Sequence, residues 1–113
     1  MMLFVNYPKC STCKKARKFL EEKGVAFEER DIKEQNPTVE ELKEWIAKSG
    51  LPVKKFFNTS GMLYRQMELK DKLPNMSEQE MIELLATDGM LVKRPILVSE
   101  DKVLVGFRQA EWE

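Results

Sequence analysis

The sequence contains no histidine, and only two of its 113 residues are cysteine. Without an imidazole base, the chain cannot use the Cys–His mechanism of cysteine hydrolases. A closed zinc site needs four Cys or His ligands, and two cysteines could supply only half of one. The composition therefore excludes histidine-dependent catalysis, and we expect no metal site.

Net charge and long apolar runs are also lacking. Lys plus Arg and Asp plus Glu both number 19, so the net charge is zero and the chain as a whole does not attract nucleic acid or anionic membranes. No apolar run approaches the ~18 residues of a membrane span, and the N-terminus has no signal-peptide pattern. We expect a cytoplasmic protein that binds neither membrane nor nucleic acid directly, and whose residues 1–113 form a single domain.

Hydrophobic patterning predicts a β-α-β unit at the start of the chain. Residues 2–7 form a short apolar run that Pro8 ends, and residues 25–32 resemble a second strand. Between them, apolar residues recur at helical spacing from Ser11 until Gly24, which is a natural helix end. Because a helix connects them, these two strands should be parallel.

The second half predicts a helical segment followed by β-β-α. Thr38 and Ser77 each precede a glutamate by three residues, which is the capping-box pattern of a helix start. Two short apolar runs then predict an antiparallel hairpin, Ile96–Val98 and Val103–Val105, before a short last helix. The predicted class is α/β: a thioredoxin-like fold with a helical insert between its βαβ and ββα halves.

Both cysteines lie where the first strand passes into the first helix, in the motif Cys10-Ser11-Thr12-Cys13. A helix N-terminus stabilises a thiolate, and Lys9 and Lys14 add positive charge nearby. We predict that Cys10 is a nucleophile and that Cys13 resolves its disulfides. The alternative is that both thiols are inert. This suits Cys13, which falls on the apolar stripe, better than Cys10 in its loop.

Arg94 precedes a proline at the start of the third predicted strand. A thioredoxin-like fold often places a cis-proline opposite its redox cysteine, so Arg94 would then lie near Cys10, lower its pKa and bind an anion. The alternative is a surface arginine on a solvated turn.

Together, residues 7–16 (YPKCSTCKKA), residues 93–98 (KRPILV) and the insert motif at residues 55–59 (KFFNT) resemble the arsenate reductase (ArsC)/Spx family. The resemblance covers essentially the whole chain. It implies a cis Arg94–Pro95 bond. It also implies a site made of catalytic Cys10, Cys13 and Arg94, surrounded by substrate-binding Lys9, Ser11, Thr12, Lys14, Asn58 and Pro95.

The two branches of that family imply different functions. Arsenate reductases attack the oxyanion with a cysteine matched by Cys10, support it with three arginines, and are recycled by glutathione and glutaredoxin. Only Arg94 matches one of those arginines; the other two correspond to about Asn58 and Phe107. Since a hydrogen bond to a charged group contributes roughly 1.5–3 kcal/mol, we expect weak arsenate binding.

Spx-type proteins instead use the C-x-x-C as a redox switch and bind the RNA polymerase α subunit. They usually carry a longer C-terminal tail, and we expect functions that depend on such a tail to be missing here. Our first prediction is a thiol/disulfide redox protein without a bound cofactor. It would be reduced by glutathione with glutaredoxin, or by thioredoxin, and would act on a small oxyanion or a disulfide. The alternative is an Spx-type regulator.

Overall fold

A four-stranded sheet with the order β2-β1-β3-β4 forms the centre of the protein, seen in a computed structural model that describes residues 2–112. The strands are β1 (Met2–Asn6), β2 (Phe27–Asp31), β3 (Ile96–Val98) and β4 (Val103–Val105). Strands β1 and β2 are parallel, whereas β3 pairs antiparallel with both β1 and β4. The predicted strand directions are confirmed.

In the described part of the chain, six α-helices surround the sheet: α1 (Ser11–Glu22), α2 (Val39–Ser49), α3 (Met62–Gln66), α4 (Leu69–Lys72), α5 (Glu78–Leu85) and α6 (Gln109–Trp112). Helix α1 connects β1 to β2, and α2 to α5 form the insert before the β3–β4 hairpin. This order confirms the thioredoxin-like fold with its helical insert. Within residues 2–112, no helix is both long and apolar enough to cross a bilayer.

Alternation along the strands divides the core into two layers, because successive side chains point to opposite faces of a sheet. Phe4 and Leu97 are buried in one layer, and Val5 and Ile96 in the other. The smaller layer packs on α1 and α6, and the larger one packs on the insert helices. Their principal members are Ala16, Leu20 and Trp112 in the first layer and Leu42, Trp45, Phe56 and Leu85 in the second.

Both predicted capping boxes are present. The side chain of Thr38 accepts from the Glu41 backbone N–H at 3.1 Å, and that of Ser77 accepts from the Glu80 N–H at 3.1 Å. Each glutamate in turn accepts from the backbone N–H of its cap residue. These bonds satisfy donors that a helix start would leave unpaired, so the local sequence determines where α2 and α5 begin.

Close packing brings the end of the insert against the loop after β2. A Cβ atom on Gly89 would lie only 1.8 Å from the carbonyl oxygen of Ile32, so no larger residue fits there. The backbone of Val92 then forms an isolated bridge with Phe57. These contacts hold the segment before β3 against the insert, and thereby fix the position of Arg94.

Candidate active site

Cys10 is the N-cap residue of α1, with extended backbone angles. Its N–H donates to the carbonyl of Tyr7 at 2.9 Å, and its own carbonyl accepts from the N–H of Lys14 at 3.1 Å. The turn from β1 into α1 thus holds the Cys10 thiol at the positive end of the helix dipole, where a thiolate is favoured.

The pKa of Cys10 is lowered from its ordinary value. Partial burial acts to raise this pKa, but hydrogen bonds from the backbone N–H and thiol of Cys13 and from the Thr12 N–H outweigh it, together with the charge of Arg94. The thiolate form of Cys10 is therefore stabilised, which is the protonation state that a sulfur nucleophile requires.

The pKa of Cys13 moves in the opposite direction, to about 12, mainly because its thiol is buried. A hydrogen bond from the Tyr7 backbone N–H, at 3.5 Å from Sγ, acts to lower it, and the neighbouring Cys10 thiolate acts to raise it. In the reduced protein Cys13 is therefore a protonated thiol that donates to Cys10. Both cysteines are free.

Arg94 lies beside the two cysteines, and its peptide bond to Pro95 is cis as predicted. The guanidinium carbon is 5.0 Å from the centre of the Tyr7 ring, and the charge lowers the pKa of both thiols. Its Nε and Nη1 atoms are buried and have no hydrogen-bond partner among the described residues. Since buried donors are nearly always paired, these two N–H groups are suited to bind an anion.

An open groove of about 970 Å³ connects these groups, and both Cys10 and Arg94 line it. Thr12 and Asn58, two of the predicted substrate-binding residues, line it as well. Residues 58–63 of the insert line it too, as do residues 105–108 at the end of β4 and directly after it. The groove is thus formed by parts of the chain that are distant in sequence.

The other predicted binding residues lie elsewhere. Lys9, Ser11, Lys14 and Pro95 are not among the described residues that line the groove. Lys14 lines a smaller pocket of about 320 Å³, next to Cys13. Ser11 and Lys14 belong to α1, where neighbouring side chains face different directions, whereas Lys9 and Pro95 lie outside the helices. Their role in binding stays a prediction.

Four cationic residues of the groove were missed in the sequence: Lys55, Arg65, Lys93 and Arg108. No motif connects them, because each belongs to a separate segment that only the folded chain brings together. Within residues 2–112, no set of three or more Cys, Asp or Glu residues could hold a metal ion.

Comparison with known proteins identifies the family. The ArsC family model matches residues 5–113. The chain belongs to the ArsC family. Protein YusI of Bacillus subtilis, uncharacterised, is 56% identical over 99% of this chain and 95% of its own length. The global transcriptional regulator Spx of Enterococcus faecalis is 30% identical over 98% of this chain and 83% of its own.

Two solved ArsC-type structures share the fold. An ArsC family related protein of Bacteroides fragilis is 59% identical, with a TM-score of 0.97 over 98% of this chain and 93% of its own. A possible arsenate reductase of Streptococcus mutans UA159 is 47% identical, with a TM-score of 0.89 over 96% of this chain and 92% of its own. The coarser prediction, a thiol redox protein of the ArsC family, is therefore supported; its specific role stays a prediction.

Proposed function

We propose that this protein is a cytoplasmic thiol/disulfide oxidoreductase in which Cys10 attacks, Cys13 resolves and Arg94 binds the negative charge of the substrate. The observation that carries the proposal is the contrast between the two thiols, one with a lowered pKa and one with a raised pKa. A pair that differs in this way has one thiol ready to attack while the other waits in its protonated form.

In the first step, the Cys10 thiolate attacks one sulfur of a disulfide substrate. A bond forms between Cys10 Sγ and that sulfur, the substrate S–S bond breaks, and the second substrate sulfur leaves as a thiolate. The unpartnered Nε and Nη1 of Arg94 are available to a carboxylate or oxyanion next to the reacting sulfur. Such charge-assisted hydrogen bonds orient the substrate.

In the second step, Cys13 loses its proton to the departing thiolate or to water and attacks Cys10 Sγ, which releases the substrate as a thiolate. Formation of the mixed disulfide removes the negative charge on Cys10 that had opposed ionisation of Cys13. The Tyr7 N–H then supports the Cys13 thiolate. Two electrons have passed from the thiol pair to the substrate. A thiol reductant, glutathione with glutaredoxin or thioredoxin, would return them.

Arsenate is the weaker candidate substrate. Among the described residues, Arg94 is the arginine whose buried nitrogens lack partners. The other groove arginines, Arg65 and Arg108, are exposed to water, where each charge contributes less. A disulfide carries less charge at the reacting atom and needs less compensation.

The test is the rate of Cys10 alkylation as a function of pH in the reduced protein. We expect a pKa below that of an ordinary thiol. It should rise in Arg94→Ala and rise further in Cys13→Ala, because the Cys13 hydrogen bonds outweigh the Arg94 charge. Cys10→Ser should abolish disulfide reduction, and Cys13→Ser should stop at the mixed disulfide. An ordinary pKa that neither variant moves would refute the proposed activation.

A second candidate function is a redox-switched regulator that binds the RNA polymerase α subunit. Its support is the similarity to Spx of Enterococcus faecalis, which extends over 98% of this chain. The test is capture of purified α subunit by the oxidised and by the reduced protein. Binding that depends on redox state, and that Cys10→Ser and Cys13→Ser change equally, would favour the regulator over the enzyme.

A further inference from the structure

The groove at Cys10 is larger than the thiol pair alone requires. Its volume of about 970 Å³ is at the upper end of the ~300–1,000 Å³ usual for small-molecule sites. Besides Cys10 and Arg94, residues of the insert and of the segment that follows β4 also line it. A compact oxyanion would occupy only the Arg94 part, so the remainder is available to a longer ligand.

Positive charge is concentrated along this groove although the chain as a whole is neutral. Among the residues that the structure describes, a single carboxylate, that of Glu111, lines it, against five cations: Lys55, Arg65, Lys93, Arg94 and Arg108. Among the described residues none of these five takes part in an ion pair, whereas Arg17, Lys18, Arg30 and Lys48 all do. The groove therefore has an unneutralised positive field that attracts an anionic ligand.

Apolar side chains are exposed at the same place. Within residues 2–112 the exposed large hydrophobic residues are Leu51 and Met62, at 39% and 70%, and both line the groove. Exposed apolar side chains beside a polar cleft are typical of a surface that contacts another protein. A small anionic metabolite would not need them.

We infer that the groove binds an extended acidic polypeptide segment with apolar side chains, and that this segment presents a disulfide-bonded cysteine to Cys10. The inference rests on the proposed function and names its substrate class. Acidic side chains of the segment pair with the groove cations, and an apolar one packs on Leu51 and Met62. The exchange is the one described above: Cys10 Sγ bonds to the sulfur of the segment, whose former partner leaves as a thiolate, and Cys13 then releases the segment as a thiol.

The experiment uses the full chain and short synthetic peptides, each with one cysteine linked by a disulfide to the chromophore 5-thio-2-nitrobenzoate. One peptide has Glu and Leu around the cysteine, and its matched partner has Lys and Leu. The mixed disulfide of the same chromophore with 2-mercaptoethanol serves as the small reference. The second-order rate of chromophore release is measured at low and at physiological salt.

We expect the acidic peptide to react at least about tenfold faster than the basic one at low salt, and less so at physiological salt. The double variant Arg65→Gln/Arg108→Gln should reduce this ratio. Lys33→Gln/Lys102→Gln is the matched control: it removes the same charge at exposed positions outside the described groove lining, and should leave the ratio unchanged. Leu51→Ser/Met62→Ser should slow the acidic peptide relative to the reference disulfide.

Equal rates for both peptides would overturn this inference, while rapid reduction of the reference disulfide would leave the redox role intact. A ratio that falls equally in the groove variant and in the matched control would also overturn it, since net charge alone would then be the cause. Failure to reduce any of the three disulfides, with an unshifted Cys10 pKa, would refute the redox role and this inference with it.

Discussion

Two arginines of this protein, Arg30 and Arg94, differ in how far their hydrogen bonds are satisfied. Arg30 donates to both carboxylate oxygens of Glu41, at 2.6 and 2.7 Å, and its Nε donates to the carbonyl of Gln35 at 3.0 Å. Arg94 has the Tyr7 ring on one side and two buried nitrogens without a described partner. The saturated arginine joins β2 to α2, whereas the unsaturated one has two free donors, which our proposal assigns to the substrate.

Replacing Arg94 should cause the largest change in reactivity. In Arg94→Met we expect the rate with an acidic disulfide to fall roughly 10- to 100-fold, since a hydrogen bond to a charged group contributes roughly 1.5–3 kcal/mol. The free energy of unfolding should change by no more than ~1 kcal/mol, because Nε and Nη1 of Arg94 have no described hydrogen-bond partner to lose and only the contact with the Tyr7 ring is removed. The measurements are stopped-flow kinetics and urea unfolding.

Arg30→Met is the matched control, because it removes the same charge outside the described groove lining. It should leave the rate unchanged and lower the free energy of unfolding by roughly 1–3 kcal/mol, since it leaves the Glu41 carboxylate without its partner. If the two variants lost stability equally and kept the same rate, the distinction between the two arginines would be wrong.

The Arg30–Glu41 pair should also make stability depend on pH. The hydrogen bond from Arg30, opposed by burial, holds the pKa of Glu41 below its ordinary value. The ionised Glu41 carboxylate therefore contributes its full share to the free energy of unfolding above its unfolded-state pKa. This share is lost as the pH falls through the lower folded-state pKa. Glu41→Gln should cost roughly 1–3 kcal/mol near neutral pH and progressively less in acid. Urea unfolding at several pH values measures this.

Glu44→Gln serves as the comparison variant, because the Glu44 side chain is 61% exposed and its ion-pair partner among the described residues is Lys48. Its unfolding curves should follow those of the wild type across the same pH range. A cost of Glu41→Gln that stayed constant in acid would mean that the charge of Glu41 does not produce it, and would contradict the predicted pH dependence, since Gln can still accept the capping bond from Thr38.

Tyr7 should have a smaller effect, through the position of Arg94. Its ring lies 5.0 Å from the guanidinium, and such a contact contributes ~0.5–1 kcal/mol. Tyr7→Leu should therefore lower the rate with an acidic disulfide about two- to fivefold and raise the pKa of Cys10 slightly, whereas Tyr7→Phe should keep both. The hydrogen bond from the Cys10 N–H to the Tyr7 carbonyl and that from the Tyr7 N–H to Cys13 Sγ remain in both variants.

Tyr64→Leu is the control for this replacement, because Tyr64 is also half-buried against the larger core layer but packs on Phe57. It should lower stability without changing the Cys10 pKa. Equal kinetic effects of the two tyrosine variants would mean that core packing, and not the support of Arg94, produces the effect.

Local patterns predicted most of the fold. The Thr38 and Ser77 capping boxes, the position of Cys10 at the start of α1 and the β3–β4 hairpin all follow from residues within a few positions of one another. The break at Glu68, a residue with a left-handed φ of 54° that separates α3 from α4, was not predicted. The sequence does not reveal this break, because glutamate usually continues a helix.

The site was predictable only in part. Cys10, Cys13 and Arg94 were found through the C-x-x-C motif and the Arg-Pro dipeptide, which are signals within short stretches. Arg65 and Arg108 were not, because a surface arginine gives no local signal and its neighbours across the groove are set by tertiary packing. The net charge of the chain also gave no sign of them, because acidic residues elsewhere balance the local excess of positive charge in the groove.

The smallest effect should come from an ion pair in full contact with water. Lys18 lies 3.9 Å from Glu22 on α1, and their side chains are 79% and 67% exposed. In Arg30 and Glu41 the corresponding exposures are 16% and 32%. Lys18→Gln should change the free energy of unfolding by less than ~0.5 kcal/mol, because water screens the charges and ordering two long side chains offsets the attraction.

A double-mutant cycle on each pair would measure the difference in coupling energy between Lys18–Glu22 and Arg30–Glu41 directly. A coupling energy for Lys18–Glu22 as large as that for Arg30–Glu41 would show that burial does not determine the value of an ion pair here. The absence of ion-pair partners would then no longer distinguish the cations of the groove from the paired cations elsewhere on the surface.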